Sequence, residues 1–140
     1  MSSIQEREAE IIEEFSIFSD WMEKYEYIID LGKELPLISD QYKTEDYLIK
    51  GCQSRVWLNA EFTDGKVIFT ADSDAVITKG IIALLVRVLS DTSPEDILKS
   101  KLSFIDEIGL KEHLSPTRSN GLVSMVKQMK NYALALTTKK

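Results

Sequence analysis

The stretch Arg55-Val56-Trp57-Leu58-Asn59-Ala60-Glu61-Phe62-Thr63-Asp64-Gly65-Lys66-Val67-Ile68-Phe69-Thr70-Ala71 decides the fold. Val56, Leu58, Ala60 and Phe62 fall on one face, while Arg55, Trp57, Asn59 and Glu61 fall on the other. That period of two belongs to a strand with one side buried. Asp64-Gly65 is a two-residue turn of the kind that closes a hairpin, and Val67, Phe69 and Ala71 carry the apolar face back along a returning strand. An antiparallel hairpin is the expectation.

On the N-terminal side, Ile4, Ile11, Phe15, Phe18, Met22, Tyr25 and Ile29 recur at spacings of three, four and seven. This is helical periodicity. Ser19-Asp20 followed by Glu23 has the form of a fresh N-cap, so the stretch divides into two helices near residue 19, the second ending between Gly32 and Leu35, before Pro36. The run Glu6, Glu8, Glu10, Glu13 and Glu14 reads as a solvated acidic face. Residues 36–50 keep no period and read as a surface loop, with a short extended piece at 47–49.

On the C-terminal side, Asp72-Ser73-Asp74 offers caps for a helix over about 74–90, with Asp72 or Ser73 as its N-cap. That helix is apolar on nearly every side and therefore buried. Gly80 within it lowers helix propensity by about 1 kcal/mol, which points to close backbone packing. Ser93-Pro94 opens a further helix that stops at Gly109. Ser115-Pro116 leads into a last one striped by Leu122, Met125, Val126, Met129, Ala133 and Leu136, with Lys139 and Lys140 at a frayed end. The sum is an α+β fold, with helices packed on an antiparallel sheet, in a single domain over residues 1–140.

Composition narrows the function classes. A net charge of −6 with scattered Lys and Arg disfavours nucleic acid as a partner. The longest apolar run, Ile81 to Val86, is too short to cross a membrane, and the first residues lack the pattern of a secretory signal. One cysteine cannot close an internal disulfide, which suits a reducing, cytoplasmic setting.

That cysteine, Cys52, follows Gly51 at the junction of loop and strand and precedes Gln53, Ser54 and Arg55. A lone free cysteine is commonly an inert, small core residue. The polar, glycine-led setting favours an exposable nucleophile instead, and Arg55, if close in space, would lower the thiol pKa below its ordinary value of about 8.5. His113 is the sole histidine, a candidate base toward Cys52 or a purely structural side chain. Together they are the only soft ligands, too few for a zinc or iron–sulfur site, so no metal is expected. No phosphate loop or pyridoxal phosphate context is evident, so no cofactor of its own is expected. What a single thiol can do is accept a group and pass it on.

Four blocks in order resemble the SufE family of sulfur-acceptor proteins. They are Lys24-Tyr25-Glu26-Tyr27-Ile28-Ile29-Asp30-Leu31-Gly32 with Leu35-Pro36; Gly51-Cys52-Gln53-Ser54-Arg55-Val56-Trp57; Asp72-Ser73-Asp74-Ala75 with Lys79-Gly80; and His113-Leu114-Ser115-Pro116-Thr117-Arg118-Ser119-Asn120-Gly121-Leu122. The resemblance spans nearly the whole chain. It implies that Cys52 takes persulfide sulfur from a cysteine desulfurase, whose own cofactor is pyridoxal phosphate, and delivers it to an iron–sulfur cluster scaffold while stimulating the desulfurase. It also implies that the cysteine rests at a loop tip against an apolar cavity. Gly51 would permit the turn, Gln53, Ser54 and Arg55 would supply contacts, and Asp72, Ser73 and Asp74 would cap the central helix beside the loop. Arg118 would face the same cavity or the desulfurase, and Trp57, Tyr25 and Tyr27 would be core or cavity wall. A homodimer stays open. Three other readings compete: an interaction-only activator of the desulfurase, in which Cys52 is incidental; a sulfur carrier for a different sulfur-using pathway; and, ranked last, a one-cysteine peroxidase.

Overall fold

The computed structural model describes residues 3–137. The hairpin forms as its alternation requires, with strands β1 (Val56–Thr63) and β2 (Lys66–Ser73) pairing antiparallel from Val56 opposite Ser73 to Thr63 opposite Lys66. Asp64 and Gly65 both take positive φ, at 53° and 78°, which is the turn geometry that matches the twist of two strands. Val56, Leu58, Val67, Phe69 and Ala71 are fully buried. Phe62, at the turn end, is not.

A lone two-stranded hairpin is marginal in water, and its two edges are covered here by the segment expected to be a plain surface loop. Leu37 bridges Ala71 on the free edge of β2, with Ile38 N–H donating to the Ala71 carbonyl at 3.1 Å. Leu48 bridges Trp57 on the free edge of β1, with Ile49 N–H donating to the Val56 carbonyl at 2.8 Å. Ile38 and Ile49 are buried. Residues 36–50 thus act as edge protection, joined by two short 3-10 turns at Asp40–Tyr42 and Glu45–Tyr47, and the extended piece expected at 47–49 is realised at Leu48.

Helices α1 (Ile4–Ser16) and α2 (Trp21–Gly32) are separate. Ser3 and Glu6 form a capping box on α1, and the Asp20 carboxylate accepts Glu23 N–H at 2.9 Å to start α2. The acidic run is not simply a solvated face. Glu8 is buried and accepts Phe104 N–H at 3.1 Å, and Glu14 takes the Arg87 guanidinium in a two-point contact, one arm of it 2.8 Å long. These carboxylates fasten α1 to later elements.

Helix α3 (Val76–Leu89) is the central element, with ten buried residues that include Thr78, Gly80 and the run from Ile81 to Val86. A Cβ on Gly80 would lie 2.1 Å from the Ile28 carbonyl oxygen, so the backbones of α2 and α3 touch where Gly80 faces Ile28 and Gly32. The expected single helix after Ser93 is two, α4 (Pro94–Lys99) and α5 (Phe104–Glu107). Helix α4 ends where Ser100 turns extended, and Leu102, buried at φ 51°, redirects the chain toward α5. Helix α6 (Pro116–Thr137) buries Leu122, Met125, Met129 and Ala133 as its stripe requires, and Tyr132 donates to the Leu58 carbonyl at 3.1 Å, tying it to the sheet. Lys139 and Lys140 lie outside the described residues. Among the described residues no helix is long and apolar enough to cross a membrane.

Candidate functional site

Cys52 sits in the loop between the Leu48 bridge and β1, and α6 and the end of β2 hold that loop from either side. Gly51 before it has φ 95°, and a Cβ there would lie 2.4 Å from the Ser124 hydroxyl of α6. A glycine is needed for both the angle and the space. On the far side, Asp74 accepts Arg55 N–H at 3.1 Å and its own N–H donates to the Arg55 carbonyl at 3.3 Å. Ser73 Oγ donates to that carbonyl at 2.8 Å and accepts Ala75 N–H at 3.3 Å. Helix α6 begins under the loop because Ser115 Oγ accepts Arg118 N–H at 3.3 Å and Pro116 stands at the first helical position.

The Asp72-Ser73-Asp74 block therefore has a different job from the one expected. Helix α3 starts from Ala75 with no side-chain cap, so neither Asp72 nor Ser73 caps it. Ser73 and Asp74 clamp Arg55, the residue where the cysteine loop joins the sheet. Asp72 faces two lysines, Lys43 Nζ at 2.5 Å and Lys79 Nζ at 3.3 Å. Burial pushes its carboxyl pKa up, yet the Lys43, Ser73 amide and Lys79 contacts outweigh it and hold the group below its ordinary value. Lys43 also lies over the Trp57 ring, so Trp57 serves this cluster at the hairpin.

The Cys52 thiol is half-buried and donates to the Gly121 carbonyl oxygen at 3.6 Å. Burial pushes its pKa up, so the resting group is the neutral thiol. The condition under which Arg55 would lower it is not met: the Arg55 side chain is exposed and does not line the thiol cavity. The thiol opens onto a cavity of about 190 Å³ formed by the cysteine loop with Gln53 and Ser54, α3 at Thr78 and Ile81, and the first turns of α6. Arg118 lines it, as do Ser115, Thr117, Gly121 and Met125. The wall is of mixed character, hydroxyls and a guanidinium against an apolar floor, where an apolar cavity had been expected. Ile81 and Met125 were legible only as helix core, because periodicity tells which face is buried and not what it is buried against, and Thr78, a polar residue in an apolar helix, gave no signal.

His113 is not a base for Cys52. Its ring stacks on Trp21 at 4.0 Å, its Nδ1 lies 2.9 Å from the Gly109 carbonyl, and Tyr25 donates to its backbone carbonyl. Tyr25 is thus part of the junction between α2 and the Gly109 turn, and Tyr27 donates to Glu14; neither is cavity wall. No group of three or more His, Cys, Asp or Glu able to hold a metal occurs among the described residues. Chemically the site offers one shielded thiol, a pocket beside it large enough for an added atom, and an arginine at the rim.

A solution structure of a hypothetical protein from Thermus thermophilus superimposes on this chain with a TM-score of 0.78 at 21% identity, covering 94% of this chain and 96% of that one. It shows a shared α+β fold. SufE-like protein 1, chloroplastic/mitochondrial, of Arabidopsis thaliana is 40% identical over 131 residues, 93% of this chain but 35% of the plant protein, so the chain spans about a third of that relative's length. The family model for SufE, described as an Fe-S metabolism associated domain, matches residues 9–133, which include every element that frames Cys52. The chain belongs to the SufE family.

Proposed function

We propose that Cys52 is the acceptor thiol for sulfur supplied by a cysteine desulfurase, and that it hands this sulfur to an iron–sulfur cluster scaffold. The observation that carries the reading is the placement of the chain's one thiol, half-buried against Gly121 and beside a 190 Å³ cavity. A persulfide needs shelter from water and stray thiols, and a cavity wall of Arg118, Ser115 and Thr117 offers donors to its outer sulfur.

The step balances without an external oxidant. Cys52 loses its proton, and the thiolate attacks the outer sulfur of a persulfide carried on the desulfurase cysteine. A new sulfur–sulfur bond forms on Cys52 as the old one breaks, and the electron pair leaves on the partner's inner sulfur, which takes up a proton. Pyridoxal phosphate chemistry belongs to the desulfurase; this chain contributes the thiol. Because the resting thiol is neutral and half-buried, the loop must swing out and the thiol must lose its proton when the partner docks. By removing the product sulfur, the chain would also stimulate the desulfurase. The chemistry calls for a reducing compartment such as the cytoplasm.

The test is desulfurase turnover of L-cysteine, followed as alanine released, with wild-type protein and with Cys52→Ser. Stimulation that disappears in Cys52→Ser supports acceptance. Full stimulation by Cys52→Ser would instead make this chain an activator that works by docking alone.

A further inference from the structure

Among the cavities outside the Cys52 site, a cleft on α6 has no part in the mechanism above. It runs between the α4–α5 connection and α6, encloses about 390 Å³, and has an apolar floor of Leu102, Ile105, Leu122 and Val126. Its rim carries Lys101, Lys111, Lys127 and Lys130, against one acidic side chain, Asp106. In a chain of net charge −6 this is a local reversal of sign. Lys130 donates to the Ser100 carbonyl at 2.7 Å and ties α6 to the connection. None of the four lysines forms an ion pair among the described residues. Val123, also at the rim, is 50% exposed, where a surface helix would ordinarily place a polar residue.

The cleft and the thiol cavity share α6 but not a face of it: Gly121 and Met125 line the thiol cavity, and Val123, Val126 and Lys130, roughly half a turn round the axis, line the cleft. Leu122 follows Gly121, whose carbonyl accepts the Cys52 thiol, and the cleft then follows α6 to Asn131. A helix is about 10 Å across, and the first turn of α6, at Pro116, Thr117 and Arg118, is exposed, so a partner that crosses this turn reaches both openings.

We propose that this cleft is a docking groove for an acidic, amphipathic segment of the desulfurase that supplies sulfur to Cys52. The inference rests on the sulfur-acceptor reading. An apolar side chain of the segment fills the groove while its carboxylates face the lysine rim, the helix-in-groove mode of recognition with complementary charge. A second attachment beside the thiol raises the local concentration of the reacting sulfurs without touching the chemistry.

The experiment follows desulfurase stimulation and Cys52 persulfide formation against concentration of this chain, using Lys101→Glu, Lys127→Glu and their combination. Lys33→Glu, on the surface near the end of α2, is the control for charge alone, and thermal melts check folding. Glutathione persulfide serves as a small sulfur donor that needs no docking. The double variant should need at least about fivefold more protein for half-saturation at low salt, with the saturating rate unchanged, and the gap should narrow on the order of 0.5 M salt. Lys33→Glu should stay close to wild type, and glutathione persulfide should load all variants alike. A double variant that matches Lys33→Glu while wild type is loaded normally would overturn the groove and leave the acceptor role standing. Loss of loading by glutathione persulfide in the double variant would place its effect at Cys52 and overturn the groove as well. Wild type that the desulfurase does not load would sink both readings.

Discussion

Asp74 and Arg55 hold each other at two points: the Asp74 carboxylate accepts Arg55 N–H at 3.1 Å, and Asp74 N–H donates to the Arg55 carbonyl at 3.3 Å. Arg55 is three residues beyond Cys52, so this clasp fixes the downstream end of the cysteine loop. Upstream, Gly51 packs on Ser124. The loop is thus a short span pinned at both ends, and its opening is governed by a few named contacts.

Asp74→Ala removes the carboxylate contact and leaves the backbone one. A hydrogen bond of this kind contributes about 1 kcal/mol net, so the population of open loop should rise about fivefold. Cys52 alkylation by iodoacetamide should quicken by the same factor, with little change in the melting temperature. Unchanged alkylation would mean that the clasp does not control access.

The pH dependence of that alkylation has a fixed sign. Burial disfavours the Cys52 thiolate, so in the resting protein the rate should rise with a midpoint above that of an unfolded cysteine peptide. The same linkage makes the buried thiol's contribution to stability complete below the unfolded pKa and lost as pH rises through the folded one. In Asp74→Ala the midpoint should move down toward the peptide value.

Gly80→Ala sets two effects against each other. Alanine improves helix propensity by about 1 kcal/mol. Its Cβ, however, would lie 2.1 Å from the Ile28 carbonyl oxygen, a backbone atom that moves only if α2 moves. Overpacking typically costs about 1–3 kcal/mol, and against backbone the upper part applies, so the variant should be destabilised in urea melts. A stabilised Gly80→Ala would mean that α2 and α3 are not in contact there.

Arg87→Gln tests the fastening of α1 to α3. The Arg87 guanidinium holds the Glu14 carboxyl below its ordinary value, so the stability this pair contributes is present above the unfolded pKa of Glu14 and is lost as pH falls through the folded one. Denaturant melts should show the variant weaker than wild type at pH 7, with the difference shrinking below about pH 4 as Glu14 protonates in both proteins. A gap that stays constant with pH would assign the loss to packing alone.

The hairpin, the two N-terminal helices and the central apolar helix were legible because each rests on local signals: alternation, Asp64-Gly65, Ser19-Asp20, and ten apolar positions around one axis. The edges of the sheet were not, since Leu37 and Leu48 each make a single bridge, to Ala71 and to Trp57, and leave no periodic trace. The break at Leu102 was also hidden, because a left-handed leucine is held by burial and not by residue type. At the site, Cys52 and Gly51 could be singled out from residue chemistry, and Arg118 from its motif. The Asp72-Ser73-Asp74 block could be found but not interpreted. Capping was the local use of those side chains, while the partners they take, Arg55, Lys43 and Lys79, include two brought in by the tertiary fold.

The most direct test of the account is intact-protein and peptide mass spectrometry after incubation with a cysteine desulfurase and L-cysteine, on wild type and Cys52→Ser. The account predicts one added sulfur on the peptide holding Cys52, removed by reductant and missing in the variant. Stimulated desulfurase with no sulfur on that peptide would contradict it.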